Sequence, residues 1–135
     1  MSGLNRDRNT VRKEGEYAAY PVKGGSVIFA GSIVCIGADG YAVPGSDSVG
    51  LRFVGMARGY VDNAAGGDGA QKAEVWRKGC FELSASEMVI ADVGESMCVL
   101  DNQTVCKTAT ATNGVHCGRI SEVNSGSSVY VDIAL

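Results

Sequence analysis

Apolar residues in this chain come in short runs, each broken by glycine or a polar turn. Residues 26–30 and 32–36 are apolar on both faces, as strands covered on two sides are, with Gly31 as a bend or bulge between them. Ala38-Asp39-Gly40 carries an Asp-Gly hairpin signal, followed by Tyr41-Ala42-Val43 and a Pro44-Gly45 turn. Residues 51–61 read as one long strand. Leu51, Phe53, Gly55, Ala57, Gly59 and Val61 share one face, and Arg52, Val54, Met56, Arg58 and Tyr60 the other.

A glycine-dense loop over residues 62–69 is expected to be flexible, and residues 71–83 resume as a strand. Val75, Arg77, Phe81 and Leu83 then lie opposite Glu74, Trp76 and Lys78. Residues 84–94 are the one helical candidate, with Ser84 or Ser86 as cap, apolar Met88, Val89 and Ile90, and Gly94 as the stop. Residues 96–100 and 104–108 form a hairpin around Asp101-Asn102-Gln103. A last hairpin turns at Asn124-Ser125-Gly126 and ends in the alternation Val129, Val131, Ile133, Leu135. About eight short strands at this spacing predict an all-β fold, a small glycine-rich sandwich or barrel with one short helix.

The first 20 residues break this pattern. Arg6, Arg8, Arg12 and Lys13 alternate with Asp7, Glu14 and Glu16, and Leu4 and Val11 are the only aliphatic residues before Tyr17. Residues 1–20 are therefore expected to be an extended arm, mobile in isolation and able to order on a partner, with the β-domain over 21–135. Docking on a protein surface is the preferred role for the arm. Its interleaved carboxylates weigh against phosphate contacts.

With 135 residues the chain has room for one domain, and its 19 glycines follow no every-third spacing, which suits many tight turns and excludes collagen. A net charge of −3 offers no general attraction for nucleic acid or an anionic membrane, and no apolar run approaches the roughly 18 residues of a membrane span. The polar N-terminus lacks a secretory leader, so export is not expected and the five cysteines should stay thiols.

Candidate chemistry is sparse. His116, the one histidine, adjoins Cys117, but neighbours in a strand point to opposite faces, so a thiol-histidine pair would need a cysteine from across the sheet. The cysteines show no zinc spacing, and the 62–72 loop matches neither a P-loop nor a calcium loop. A three-residue turn at Asp101–Gln103 would set Cys98 directly opposite Cys106, as small buried side chains or as a clip. No catalytic residue, metal or cofactor is expected, and the protein reads as a non-enzyme. Trp76, on a partly polar strand face, is either an interface anchor or part of a second core layer.

Several stretches, taken in order, resemble the head decoration, or capsid cement, proteins of tailed bacteriophages. They are residues 22–31, Gly40-Tyr41-Ala42-Val43-Pro44, Phe53-Val54-Gly55-Met56-Ala57 and Tyr60-Val61-Asp62-Asn63. Ala91-Asp92-Val93-Gly94, Val99-Leu100-Asp101, Gln103-Thr104-Val105 and Gly118-Arg119-Ile120 continue the pattern. The resemblance covers nearly all of the chain beyond the arm. It implies a compact β-domain, commonly trimeric, that is made in the host cytoplasm, binds the outer surface of the head and braces neighbouring major capsid proteins. It implies no catalysis and no cofactor. From the chain's own chemistry, Arg6, Arg8, Arg12, Lys13, Tyr17 and Tyr20 are expected to dock, with Trp76 at a subunit or capsid contact. Another virion part, such as a tail-tube or head-completion protein, or a free β-barrel binding module, is the alternative.

Overall fold

The computed structural model describes residues 3–10, 12–13 and 15–133, and twelve strands form among them. Val11, Glu14 and Leu135, which the sequence reading placed in the arm and the last strand, lie outside the described residues. The first sheet holds β1 (Tyr17–Pro21), β3 (Ile33–Ile36), β4 (Ala42–Pro44), β5 (Arg52–Ala57) and β7 (Lys72–Trp76), in the order β1-β7-β5-β3-β4. A second sheet holds β8 (Cys80–Ser84), β9 (Ser96–Val99), β10 (Val105–Lys107), β11 (His116–Ser125) and β12 (Ser128–Asp132), in the order β8-β12-β11-β9-β10. Between named strands every pairing is antiparallel. A ribbon of β2 (Val27–Ile28) and β6 (Val61–Asp62) completes a nearly all-β, sandwich-like fold.

The two sheets are the same structure built twice. β1 and β8 start 63 residues apart (17 to 80), as do β3 and β9 (33 to 96) and β4 and β10 (42 to 105). Hydrogen bonds repeat at that spacing. The N–H of Gly31 donates to the carbonyl of Ala57, and that of Gly94 to Ile120; Ala57 donates to Ser32, and Ile120 to Glu95; Gly25 donates to Asn63, and Met88 to Gly126. β7 and β12 start 56 residues apart (72 to 128), because the loop before the last strand is shorter in the second half. An isolated parallel bridge, Val22 to Ala42 in one half and Ser84 to Thr104 in the other, curls each sheet toward closure.

One glycine in each half is dictated by this geometry. Register shifts put an extra residue into β5 at Val54 and into β11 at Cys117, and the following Gly55 (φ 149°) and Gly118 (φ 153°) adopt backbone that favours glycine. A Cβ on Gly55 would collide with the carbonyl oxygen of Trp76, and one on Gly118 with that of Asp132.

The bulge also corrects the expected face of the 51–61 strand. It re-phases the side chains, so Phe53 and Met56 enter the core between the sheets, while Val54 and Ala57 enter a second core under the first sheet. The inter-sheet core joins Ile33, Cys35, Phe53 and Met56 to Met97, Val99, Cys117, Val129 and Val131 of the second sheet. The second core (Val22, Ile28, Val34, Ala42, Val75) includes the ribbon's own Ile28, with Val61 packed against it. Three layers result, namely ribbon, first sheet and second sheet.

Other expectations also change. The arm ends at Glu16, not at residue 20, since Tyr17–Pro21 pairs with β7 as a sheet edge. The 71–83 strand is two strands in different sheets, divided at Gly79 (φ 121°). In place of a helix over 84–94, Ser84 ends β8 and only Ile90–Asp92 makes a single 3₁₀ turn, with Glu87 held at positive φ just before it. The 62–69 loop read as flexible is tied down, because buried Asn63 donates from Nδ2 to the carbonyls of Val22, Lys23 and Gly67. The last hairpin turns at Gly126 and Ser127, between paired Ser125 and Ser128.

Candidate functional site

β1 and β7 are bound in a register that sets Tyr17 opposite Trp76, with the rings edge to face at 6.1 Å between centroids. Beyond the end of β5, the guanidinium of Arg58 lies 4.3 Å from the centroid of Tyr17 and 4.4 Å from that of Trp76. Its Nη1 donates to Glu74 Oε2 at 3.1 Å, and its backbone N–H donates to the Glu74 carbonyl. Each cation-ring contact of this half-exposed kind contributes about 0.5–1 kcal/mol. Two residues on, Tyr60 packs against Phe29 at 5.8 Å. Tyr17, Phe29 and Tyr60 are 55%, 57% and 60% exposed, so this face keeps much of its aromatic area in water. Aromatic residues with arginine are the chemistry of protein interface anchors.

The arm leaves the body at this face. The carbonyl of Glu16 accepts the N–H of Arg77 at 2.7 Å, one residue past Trp76. Lys13, Gly15 and Glu16 line a hollow of about 520 Å³ with Tyr17, Ala18, Ala19 and Glu74.

Of the residues singled out from sequence, the fold brings Tyr17 and Trp76 together. Lys13 lies at the edge of their surface, and Arg6, Arg8 and Arg12 are exposed along the arm. Tyr20 is not an arm residue. It pairs with Ala73 and packs, partly buried, against the core under the first sheet. Trp76 packs on the inter-sheet core from one side and carries Arg58 and Tyr17 on its ring. Arg58, Phe29 and Tyr60 escaped the sequence reading. The available signal was an exposed-length aromatic two residues from an arginine, but assigning it a face required the bulge at Val54.

The repeat supplies an internal control. The pair Tyr17–Trp76 corresponds in register to Cys80–Asp132, Phe29 to Asp92, Arg58 to Ser121 and Tyr60 to Val123. The second half folds with small, polar or aliphatic residues at these places, so the topology itself does not require the aromatic set.

The thiols are placed as follows. Cys98 and Cys106 face each other in register, as a three-residue turn predicts, with Leu100 N–H donating to the Thr104 carbonyl; both are free. His116 pairs in register with Cys98, but its Nδ1 lies 2.9 Å from Ser96 Oγ. Burial pushes the Cys35 and Cys117 thiols up to about 12, which disfavours the reactive thiolate. Among the described residues no group of three His, Cys, Asp or Glu is placed to hold a metal ion, and no helix is long and apolar enough to cross a membrane.

No protein-family model matches the chain, and no curated protein matches it in sequence.

Proposed function

We propose that this protein is a structural component of a phage virion, a decoration or cement protein that binds the outside of the head and braces neighbouring major capsid proteins. The observation that carries the reading is the continuity of the charged arm with the Tyr17–Arg58–Trp76 face. An extended, charged segment leaves the body beside an aromatic and arginine surface, which suits a protein that lays its arm along one subunit while its body rests on the next. The resemblance to head decoration proteins supports the same assignment. The role is non-catalytic and needs no cofactor, nucleic acid or membrane. Synthesis takes place in the bacterial cytoplasm, and the working form is a homotrimer, in which many weak lattice contacts add by avidity.

Co-sedimentation with purified heads stripped of decoration tests this. The intact protein is expected to pellet with heads, and a variant lacking residues 1–16 to remain folded but stay in the supernatant. Equal pelleting of the truncated and intact proteins would remove the arm from the mechanism. Absence of pelleting by both would remove the capsid assignment.

A further inference from the structure

We propose that the notch between the 29–32 turn of the first half and the 101–103 turn of the second binds a single neutral pyranose sugar. This goes beyond capsid attachment and does not depend on it. The notch has a volume of about 280 Å³ and is lined by Phe29, Ala30, Gly31, Ser32, Asn102 and Gln103. Pockets for drug-sized ligands start at roughly 300 Å³, so the notch is of the size that seats a single ring.

Both walls are tied by hydrogen bonds. On one side, Ser32 donates from Oγ (2.7 Å) and from its backbone N–H (3.2 Å) to the carbonyl of Phe29. On the other, the N–H of Ile33 donates to the Asn102 carbonyl at 2.7 Å, Ser84 N–H to the Gln103 carbonyl, and Gln103 N–H to Asp101 Oδ1. The two amide side chains, by contrast, are unspent. Among the described residues, the amides of Asn102 and Gln103 make no hydrogen bond within the chain, and the Phe29–Tyr60 pair stands more than half exposed.

A pyranose presents an apolar C–H face edged by hydroxyl groups that both donate and accept. An exposed aromatic ring covers such a face, and a primary amide, with one acceptor and two donors, can serve adjacent hydroxyls. The carboxylate of Asp101, which accepts the Gln103 N–H, disfavours an acidic sugar. The second half places Asp92 and Val123 at the corresponding positions and folds without the aromatic pair.

Saturation-transfer difference NMR on the full-length protein, with glucose, galactose, mannose and N-acetylglucosamine at millimolar concentration, tests the proposal. Transfer from aromatic protons to the ring protons of at least one sugar is expected. Phe29→Ala and Tyr60→Ala should abolish it with little change in thermal midpoint, and Gln103→Ala should weaken binding about fivefold. Silence from all four sugars, or transfer that survives both aromatic substitutions, overturns the proposal. So does dissociation of copies of the chain by Phe29→Ala, seen by sedimentation without any sugar signal, which would make the face a subunit contact.

Discussion

The two halves build five strands in one order and then use the segment after the first strand differently. In the first half that segment forms β2, pairs with β6, and buries Ile28 against its own sheet. In the second half it is the Ile90–Asp92 turn. Ile90 stands 73% exposed, and the matching sheet face is covered by the first sheet instead. Phe29 and Asp92 hold equivalent places. One is a ring in water, and the other is a buried carboxylate that accepts Val89 N–H at 2.9 Å and sits 2.8 Å from Lys107 Nζ. A sheet face must be covered by something apolar, but the topology does not say by what. Once the second sheet lay on the first, its ribbon-equivalent was released from covering duty.

The sharpest way to break the comparison is at the two bulges. Gly55→Val and Gly118→Val each force a Cβ into a strand carbonyl, and each is expected to cost more than about 3 kcal/mol or prevent folding, as read by urea unfolding. Equal losses would mean that both halves depend on the bulge alike; a tolerated substitution in one would show that the repeat is only topological there. Next comes the contact between halves. Phe53→Ala opens the inter-sheet core and is expected to cost about 3–5 kcal/mol in one cooperative transition, whereas two transitions would show halves that unfold separately.

Acid tests the polar ties. Asp47 accepts the N–H groups of Thr112 (2.9 Å) and Asn113 (2.8 Å) across the halves, and these bonds hold its carboxyl below the ordinary 3.8. The Lys107 hydrogen bond, followed by that of Val89 N–H, lowers Asp92 likewise. A depressed carboxyl contributes stability that is present above its unfolded value and lost as pH falls through the folded one. The thermal midpoint should therefore fall below about pH 4, and less steeply in Asp47→Asn; an unchanged slope would remove Asp47 as a tie. The smallest effect separates the thiols. Exposed Cys80 should alkylate readily in the folded protein while Cys35 and Cys117 do not, as followed by mass spectrometry. Early labelling of Cys117 would mean that the sheets part easily.

Much of the strand pattern was legible. The Asp39-Gly40 hairpin, the turn at Asp101–Gln103 with Cys98 opposite Cys106, and Gly31 as a bend (φ 80°) all follow from local turn chemistry. The repeat was not read, although Gly31, Cys35 and Gly55 recur as Gly94, Cys98 and Gly118 at one spacing. Three matches among dissimilar residues become informative only once the strands are paired. The candidate surface was half legible. Trp76 stood out as an aromatic on a partly polar face and Tyr17 as a docking residue of the arm, but Arg58 joined them through a bulge, and a one-residue shift in a strand exchanges its faces.

The sequence by itself determined that this is an all-β chain with a charged arm, because alternation, turn residues and glycine spacing act within a few residues of each other. Only the tertiary structure decided that the strands form the same sheet twice, that the arm ends one residue before an edge strand begins, and which side chains share a surface. Those outcomes depend on register and on what covers each sheet, and both are settled between segments far apart in the chain.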